Sequence, residues 1–123
     1  MEERFKTWLD KFGKAWCDKN IDQVIKLFDS ENIAYYESVF NLPITSLDEV
    51  RKLWQVVPEN QKDITFKYKI ILSSENEAVI NWKVYRFFIP TNEHQNIDGI
   101  FQISLNQDGL CTFFKQWRTI KVA

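Results

Sequence analysis

The sequence predicts an α+β domain in which N-terminal helices pack on one face of a curved antiparallel sheet. Two observations support this prediction. Apolar residues recur with a helical period in the first part of the chain, and at every second position from about residue 64 onward. A chain of 123 residues has the size of one domain and can bury a core without metals or disulfides. We therefore expect residues 1–123 to form a single domain.

Three amphipathic helices are predicted. The first runs from Glu2 to about Lys19 and presents its apolar residues on one face. These residues are Phe5, Trp8, Leu9, Phe12, Ala15 and Trp16. The second helix covers residues 21–28 and has Asn20 as its N-cap. The third begins at a capping box formed by Ser46 and Glu49, and Pro58 ends it.

The strands are predicted from alternation of apolar and polar residues. A short strand is expected at residues 33–36 and longer strands at 64–70 and 78–88, followed by a polar loop at 90–95. The last two strands form a hairpin from Asn96 to Ile120, and Asp108-Gly109 is a strong signal for a two-residue turn. We expect the rest of the chain to cover or extend this hairpin.

The register of the hairpin determines which side chains share a face. Both plausible turn registers place Asp98 on the face of Trp117, and Phe101 on the face of Gln116. A bulge at Gly99 would reverse this pattern locally. The face that Asp98 occupies therefore depends on the backbone at Gly99.

The face of the sheet away from the helices is mixed in character. Its lysines suit water, but it also carries large apolar side chains that do not. The lysines are Lys67, Lys69 and Lys83, and the apolar residues are Val79, Tyr85, Ile100, Phe113 and Trp117. We expect part of this outer face to meet a second copy of the chain in a homodimer.

Composition and charge exclude several classes of function. The net charge of −1, with interspersed acids and bases, provides no basic surface for nucleic acid. No apolar run approaches the ~20 residues of a membrane span, and the charged start of the chain is not a signal peptide. Cys17 and Cys111 have no metal-site spacing and are expected to be free thiols. We therefore expect a cytoplasmic protein.

The sequence offers no cofactor or metal motif. His94 is the one histidine, and without clustered cysteines it cannot complete a zinc or iron site. Three glycines are too few and too dispersed for a phosphate-binding loop or a dinucleotide fingerprint. The conspicuous feature is instead the aromatic content, with ten Phe, five Trp and four Tyr. So many rings form a large core, or line a cavity for an apolar or flat ligand, or do both.

The order of elements resembles that of the nuclear transport factor 2-like superfamily, and more narrowly its SnoaL-like, ketosteroid-isomerase-like branch. The stretches that carry the resemblance are KAWCDKNIDQVIKLF, IAYYESVF, the helix from Ser46 to Trp54, INW at 80–82 and IDGIF…NQDG…FFKQWR. The resemblance implies a cone-shaped, cystatin-like curved sheet wrapped on three N-terminal helices, a pocket on its concave side, and commonly a homodimer through the opposite face. Because this family includes isomerases, cyclases, hydrolases, dehydratases and plain binding domains, the resemblance does not specify an activity.

The resemblance also allows a residue-by-residue test of steroid isomerisation. Ketosteroid isomerases use a tyrosine in the first helix, a basic aspartate after the first strand and a second carboxylic acid on the penultimate strand. The matching positions in this sequence are Phe12, Ser38 and about Phe101. Phenylalanine has no hydroxyl to hold an enolate oxygen, and a serine without a base does not accept a proton near neutral pH. The sequence therefore argues against steroid isomerisation.

Two carboxylates are candidates for other acid–base chemistry. Asp98 lies in an otherwise apolar strand start, where it is either a pocket acid or a strand-end residue that caps backbone amides. Glu37 follows the first strand, where it is either a pocket residue or part of a solvated loop. Arg118 could pair with either carboxylate or with an anionic ligand.

The candidate ligand-binding residues are Tyr36, Ser38, Trp54, Trp82 and Gln116. The aromatic members of this set, Tyr36, Trp54 and Trp82, recur at periods that are more often typical of simple core. We predict a small-molecule-binding domain whose ligand is apolar or partly polar. The alternatives are a cofactor-free isomerase, cyclase or hydratase that uses Asp98 or Glu37, and a protein-interaction module.

Overall fold

The computed structural model describes residues 2–123 and confirms the α+β prediction. The helices are α1 (Glu2–Cys17), α2 (Ile21–Ile25), α3 (Leu47–Trp54) and α4 (Val57–Asn60), with a short 3-10 helix at Ile89–Thr91. The strands are β1 (Ala34–Tyr36), β2 (Gln61–Ser73), β3 (Glu77–Phe88), β4 (Glu93–Leu105) and β5 (Cys111–Val122). They form one curved, unclosed sheet in the order β1-β5-β4-β3-β2, antiparallel except for the parallel pair of β1 and β5.

The core lies between α1 and the concave face of the sheet. All the apolar residues predicted for the buried face of α1 are buried. Phe12 lies at the centre of an aromatic cluster, with ring centroids 5.1–5.9 Å from those of six other aromatic residues. Each fully buried ring of this size contributes roughly 1.5–3 kcal/mol of hydrophobic free energy. Aromatic packing between α1 and the sheet therefore holds the fold together.

The helical boundaries differ from the prediction at three places. Helix α2 ends at Ile25, and the chain then turns so that Phe28 forms an isolated bridge with Cys111. The predicted capping box is absent: Ser46 is the N-cap of α3, but its backbone carbonyl, and not its hydroxyl, accepts from the amide of Glu49. Pro58 does not end α3 but lies in the first turn of α4, where its missing N–H needs no partner.

The β4–β5 connection is also longer than predicted. The two-residue turn expected at Asp108-Gly109 is replaced by a loop that spans residues 106–110. The side-chain oxygen of Asn106 accepts from the amides of Asp108 and Leu110, which stabilises the longer loop. Gly109 has a φ of +79°, a left-handed conformation that glycine adopts without strain. The predicted loop at 90–95 is shorter than expected, because β4 already begins at Glu93.

The register of the final hairpin matches the predicted parity. Phe101 pairs with Gln116, and Asp98 lies on the same face as Trp117. The pairing of β4 with β5 is regular at Gly99, and its one irregularity lies at Ser104 and Leu105. Side chains at odd positions of β4 and, from Phe113 onward, at even positions of β5 therefore face the helices, and the others form the outer face. Cys111 lies beyond the irregularity and is buried in the core.

None of the helices in residues 2–123 has the length and apolarity that a membrane span requires.

Candidate functional site

A cavity of about 220 Å³ lies on the concave side of the sheet, between the sheet and helices α1 and α3. Nearly half of the residues in its wall are aromatic. The aromatic lining residues are Phe12, Trp16, Tyr35, Trp54, Trp82, Phe88, Phe101 and Phe114. The sheet provides its floor, where the ring of Trp82 stacks on that of Phe101 at 4.6 Å. Helices α1 and α3 provide its roof, where Trp16 meets Trp54 edge to face at 5.4 Å.

The three tryptophans of this wall differ in how their indole N–H groups are satisfied. Trp16 Nε1 donates to the side-chain oxygen of Gln61 at 3.0 Å, and Trp54 Nε1 donates to the Tyr35 hydroxyl at 3.1 Å. Trp82 Nε1 is buried and has no hydrogen-bond partner in residues 2–123. A buried donor without an acceptor is unfavourable by roughly 1–3 kcal/mol, so such groups are rare in folded proteins.

Gly99 determines where the indole of Trp82 can lie. The two residues are paired across β3 and β4. A Cβ atom at Gly99 would lie 2.8 Å from Trp82 Nε1 and would overlap the carbonyl oxygen of Trp117. Because glycine has no Cβ, the indole can pack directly over the β4 backbone. The unsatisfied N–H of Trp82 is thus held in place by the sheet itself.

A polar group formed by Glu37, Gln116 and Arg118 occupies one part of the cavity wall. Gln116 Nε2 donates to the backbone carbonyl of Glu37 at 2.9 Å and to its carboxylate at 3.4 Å. Arg118 donates to the other carboxylate oxygen of Glu37, also at 3.4 Å. These contacts hold Glu37, the residue after β1, against β5. Its carboxylate accepts hydrogen bonds from both Gln116 and Arg118.

Arg86 is the second arginine of the cavity wall, and its side chain projects from the inner face of β3. The residue is only 9% exposed. Its Nε donates to the side-chain oxygen of Gln95 at 3.0 Å, and its guanidinium lies 4.7 Å from the centre of the Phe88 ring. Burial, together with the nearby charge of Arg118, lowers the pKa of Arg86 to about 10.

No protein-family model matches the sequence, and no curated protein sequence matches it. Solved structures do match the fold. The epoxide hydrolase/cyclase-like enzyme SalBIII, which has a role in pyran ring formation in polyether salinomycin, matches with a TM-score of 0.84 and 12% identity over 99% of this chain and 98% of that one. A Δ5-3-ketosteroid isomerase from Mycobacterium sp. matches with a TM-score of 0.70 and 13% identity, covering 96% and 98% of the two chains.

An NTF2-like protein of unknown function from Exiguobacterium sp. 255-15 matches with a TM-score of 0.72 and 18% identity, covering 94% of this chain and 98% of that one. The chain has the nuclear transport factor 2-like fold. This confirms the resemblance that the sequence shows. At these identities the likeness establishes the fold of the chain and leaves its activity to be argued from the cavity.

The nuclear transport factor 2-like fold brings four of the predicted site residues to the cavity. Trp54, Trp82, Gln116 and Glu37 all line it. At two of the three ketosteroid isomerase positions, the side chains in the cavity wall are the hydrocarbon rings of Phe12 and Phe101. The cavity therefore has no hydroxyl or carboxyl group at these two positions.

Asp98 lies on the opposite face of the sheet from the cavity. Its side chain is 60% exposed, and its carboxylate accepts from Asn81 Nδ2 at 2.8 Å and lies 3.9 Å from Lys83 Nζ. The reason is strand parity: β4 has no bulge at Gly99, so the side chain of Asp98 points away from the helices. Asp98 thus contributes no carboxylate to the cavity.

Tyr36 and Ser38 are likewise outside the cavity. Tyr36 follows the inward-facing Tyr35 in β1 and packs on Phe113 of the outer face, with ring centroids 5.5 Å apart. The hydroxyl of Ser38 accepts from the amide of Phe40 at 3.4 Å in an exposed turn. Ser38 and Asp98 both border a wider surface depression of about 560 Å³ beside β5. This depression is open to solvent and lacks the aromatic enclosure of the cavity.

Sequence reasoning missed Arg86, Gln61 and Tyr35 as cavity residues. A signal for Arg86 was present, because Ala78, Ile80, Trp82 and Val84 alternate on the buried face of β3 and Arg86 is the next position in that series. A charge that continues a buried alternation indicates a polar site. Gln61 and Tyr35 carry no comparable signal, since each becomes a cavity residue through contacts made in the folded chain.

No three His, Cys, Asp or Glu side chains within residues 2–123 are arranged to hold a metal ion. His94 lies on the outer face, where its ring stacks on that of Tyr85 at 5.8 Å. Cys17 and Cys111 are both free thiols.

Proposed function

We propose that this chain is a single-domain small-molecule-binding protein whose cavity takes an apolar or partly polar ligand. The observation that carries the proposal is the cavity itself, an aromatic chamber on the concave side of the sheet with a few polar groups in its wall. Rings of this kind bind flat apolar surfaces, while a small number of polar groups orients the ligand. The cavity volume of about 220 Å³ lies below the roughly 300–1,000 Å³ typical of drug-sized ligands, which favours a smaller molecule.

The similar structures support this proposal at the level of the fold. A ketosteroid isomerase and an enzyme with a role in pyran ring formation share the architecture of this chain. The cavity also argues for binding a small molecule over the alternative of a module that only recognises another protein.

Thermal-shift screening of lipophilic metabolites tests the proposal. We expect at least one class of compact ring compounds to raise the melting temperature of the wild-type protein, because a ligand that binds only the folded state stabilises it. Trp54→Ala should abolish the shift by removing part of the cavity wall. Phe40→Ala removes an exposed ring that does not line the cavity, so it is the control and should retain the shift. A shift that survives Trp54→Ala and disappears in Phe40→Ala would contradict binding in the cavity.

A second candidate function is acid–base catalysis as a cofactor-free isomerase, cyclase or hydratase. The observation in its favour is Glu37, the one carboxylate among the described residues that line the cavity. A carboxylate within hydrogen-bond reach of a bound ligand can transfer a proton, and Arg118 and Gln116 hold this one in a defined position.

Glu37→Gln separates catalysis from binding. If the protein is an enzyme, this variant should bind a ligand found by the screen and fail to convert it, as followed by mass spectrometry or by NMR of the product. Asp98→Asn is the matched control, since that carboxylate lies outside the cavity. Conversion that continues unchanged in Glu37→Gln would remove Glu37 from the mechanism.

We further propose that the outer face of the sheet forms a homodimer. Tyr85 and Trp117 are 40% and 39% exposed there, among other apolar side chains. Burying these rings against a second copy would supply the apolar contact that a stable dimer needs. Light scattering should then report a dimer for the wild type and a monomer for Trp117→Glu.

The free thiols of Cys17 and Cys111 favour a reducing compartment, and we propose that the protein is cytoplasmic.

A further inference from the structure

The charged side chains of the cavity wall are unbalanced. They are one acid, Glu37, and two bases, Arg86 and Arg118, which gives a formal charge of +1. Arg118 pairs with Glu37, whereas Arg86 forms no salt bridge with any carboxylate in residues 2–123. The surplus positive charge therefore lies on Arg86.

Arg86 is buried without a counter-charge. Placing a charged group in a low-dielectric interior is unfavourable unless it is paired or fully hydrogen-bonded. A guanidinium has five N–H donors, and the described residues provide an acceptor only for the one on Nε, from Gln95. The aromatic ring of Phe88 compensates in part, since its face attracts a cation. The Nη atoms of Arg86 are thus left with donors that no protein group accepts.

Trp82 also lines the cavity, but it adds no donor for a ligand. Its Nε1 is buried against the β4 backbone at Gly99. The unused donors of the cavity wall are therefore those of the Arg86 guanidinium. The missing complement is a group that accepts hydrogen bonds and carries a negative charge.

We propose that the ligand of this cavity is a small cyclic or aromatic molecule that carries a carboxylate, and that the carboxylate binds to Arg86. This inference rests on the proposed function and adds the chemical class of the ligand. The planar guanidinium fork matches the two oxygens of a carboxylate, and such charge-assisted pairs are stronger than neutral hydrogen bonds. The ring of the ligand lies against the aromatic wall that includes Trp54 and Phe101.

A matched pair of probes tests this proposal. Naphthalene-2-carboxylate and naphthalene-2-carboxamide have the same ring and nearly the same shape, but only the first is charged. Titration calorimetry with wild-type protein should give a dissociation constant at least about tenfold lower for the carboxylate, because a charge-assisted hydrogen bond is stronger than a neutral one. Arg86→Gln should reduce this preference to less than about threefold, because the carboxylate loses more than the carboxamide when the charged donor is removed. Lys83→Gln, on the outer face, is the control and should keep the wild-type preference.

Each outcome decides between the two proposals. Equal affinity of wild-type protein for both probes, or a preference that persists in Arg86→Gln, would overturn the carboxylate inference and leave the binding function standing. Failure of both probes to bind wild-type protein would overturn the carboxylate inference and the proposed binding function alike. If circular dichroism shows that Arg86→Gln does not fold, Arg86→Lys replaces it, because lysine keeps the positive charge. A preference of Arg86→Lys for the carboxylate over the carboxamide would then support the inference, and loss of the preference in wild-type protein would overturn it.

Discussion

Two buried tryptophans, Trp8 and Trp82, show how the two ends of the concave side differ. At the end near the β4–β5 loop, Trp8 packs between Phe12 and Phe28 and its Nε1 donates to the carbonyl of Leu27 at 2.9 Å. At the other end, Trp82 is as deeply buried, but it lines the cavity and its Nε1 has no partner in the described chain. The first end is a filled core that satisfies its own polar groups. The second end borders a cavity and retains a buried donor without a partner among the described residues.

The largest expected effect comes from the filled end. Phe28→Ala should lower the free energy of unfolding by about 3–5 kcal/mol, because the ring of Phe28 is enclosed by Trp8, Tyr35 and Phe114 and its removal leaves a void. Urea denaturation provides the measurement. A loss below about 1 kcal/mol would show that this end is not tightly packed.

Truncation at the cavity should be less destabilising. We expect Trp54→Ala to lower the free energy of unfolding by about 1–3 kcal/mol, since one side of the ring already faces empty space and makes no contacts there. The same urea experiment compares it with Phe28→Ala. If Trp54→Ala proves as destabilising as Phe28→Ala, the comparison between a filled end and an open end fails.

The sequence predicts the sheet and its two faces much better than it predicts which end of the concave side is filled and which carries the cavity. Parity alone assigns Asp98 and Trp117 to one face and Phe101 and Gln116 to the other, since side chains alternate strictly along a regular strand. The buried face of α1, in contrast, has one continuous helical period. Along it, Trp8 lies in the core and Trp16 in the cavity wall. Hydrophobic period reports burial, and it cannot report whether the space opposite a ring is filled.

Polar residues on buried faces are the better guide to the cavity. Two of the predicted site residues, Glu37 after β1 and Gln116 on β5, line it. Asp98 is flanked in sequence by Ile97 and Gly99, which belong to the opposite face. Sequence neighbours do not report the environment of its carboxylate, because neighbours along a strand face opposite sides of the sheet, whereas residues two apart share a side.

A substitution at the polar part of the cavity should not destabilise the fold, in contrast to Phe28→Ala and Trp54→Ala. Arg86→Met replaces a buried charge that lacks a counter-charge with an apolar side chain of similar length. We expect the free energy of unfolding to stay unchanged or to rise by about 1 kcal/mol, as happens when a site that evolved for binding is made apolar. Arg51→Met, which removes the salt bridge from Arg51 to Asp22 at 2.7 Å, is the control and should lower stability slightly. A clear loss of stability in Arg86→Met would mean that the charge serves the fold.

The smallest expected effect on the free energy of unfolding concerns Asp29, near the filled end, and depends on pH. The amides of Asn32 and Glu31, and the side chain of Asn106, donate to Asp29 and hold the pKa of its carboxyl below the ordinary value. The folded state therefore favours the ionised form. The resulting stabilisation is complete above the ordinary pKa, about 3.9, and is lost as the pH falls through the lower folded value.

Asp29→Asn should consequently be less stable than wild type near pH 6, and the difference should shrink below about pH 4. Urea denaturation across this range measures it, with Asp108→Asn as a control in the neighbouring exposed loop. A difference that does not change with pH would assign the role of Asp29 to geometry alone.

The indole N–H signals of the five tryptophans provide the most direct test of the account. Three of these residues, Trp16, Trp54 and Trp82, line the cavity, whereas Trp8 lies in the filled core and Trp117 on the outer face. We predict that titrating ¹⁵N-labelled protein with naphthalene-2-carboxylate shifts the three cavity signals and leaves those of Trp8 and Trp117 in place. Shifts confined to Trp117, or no shift in any of the three cavity signals, would contradict ligand binding on the concave side.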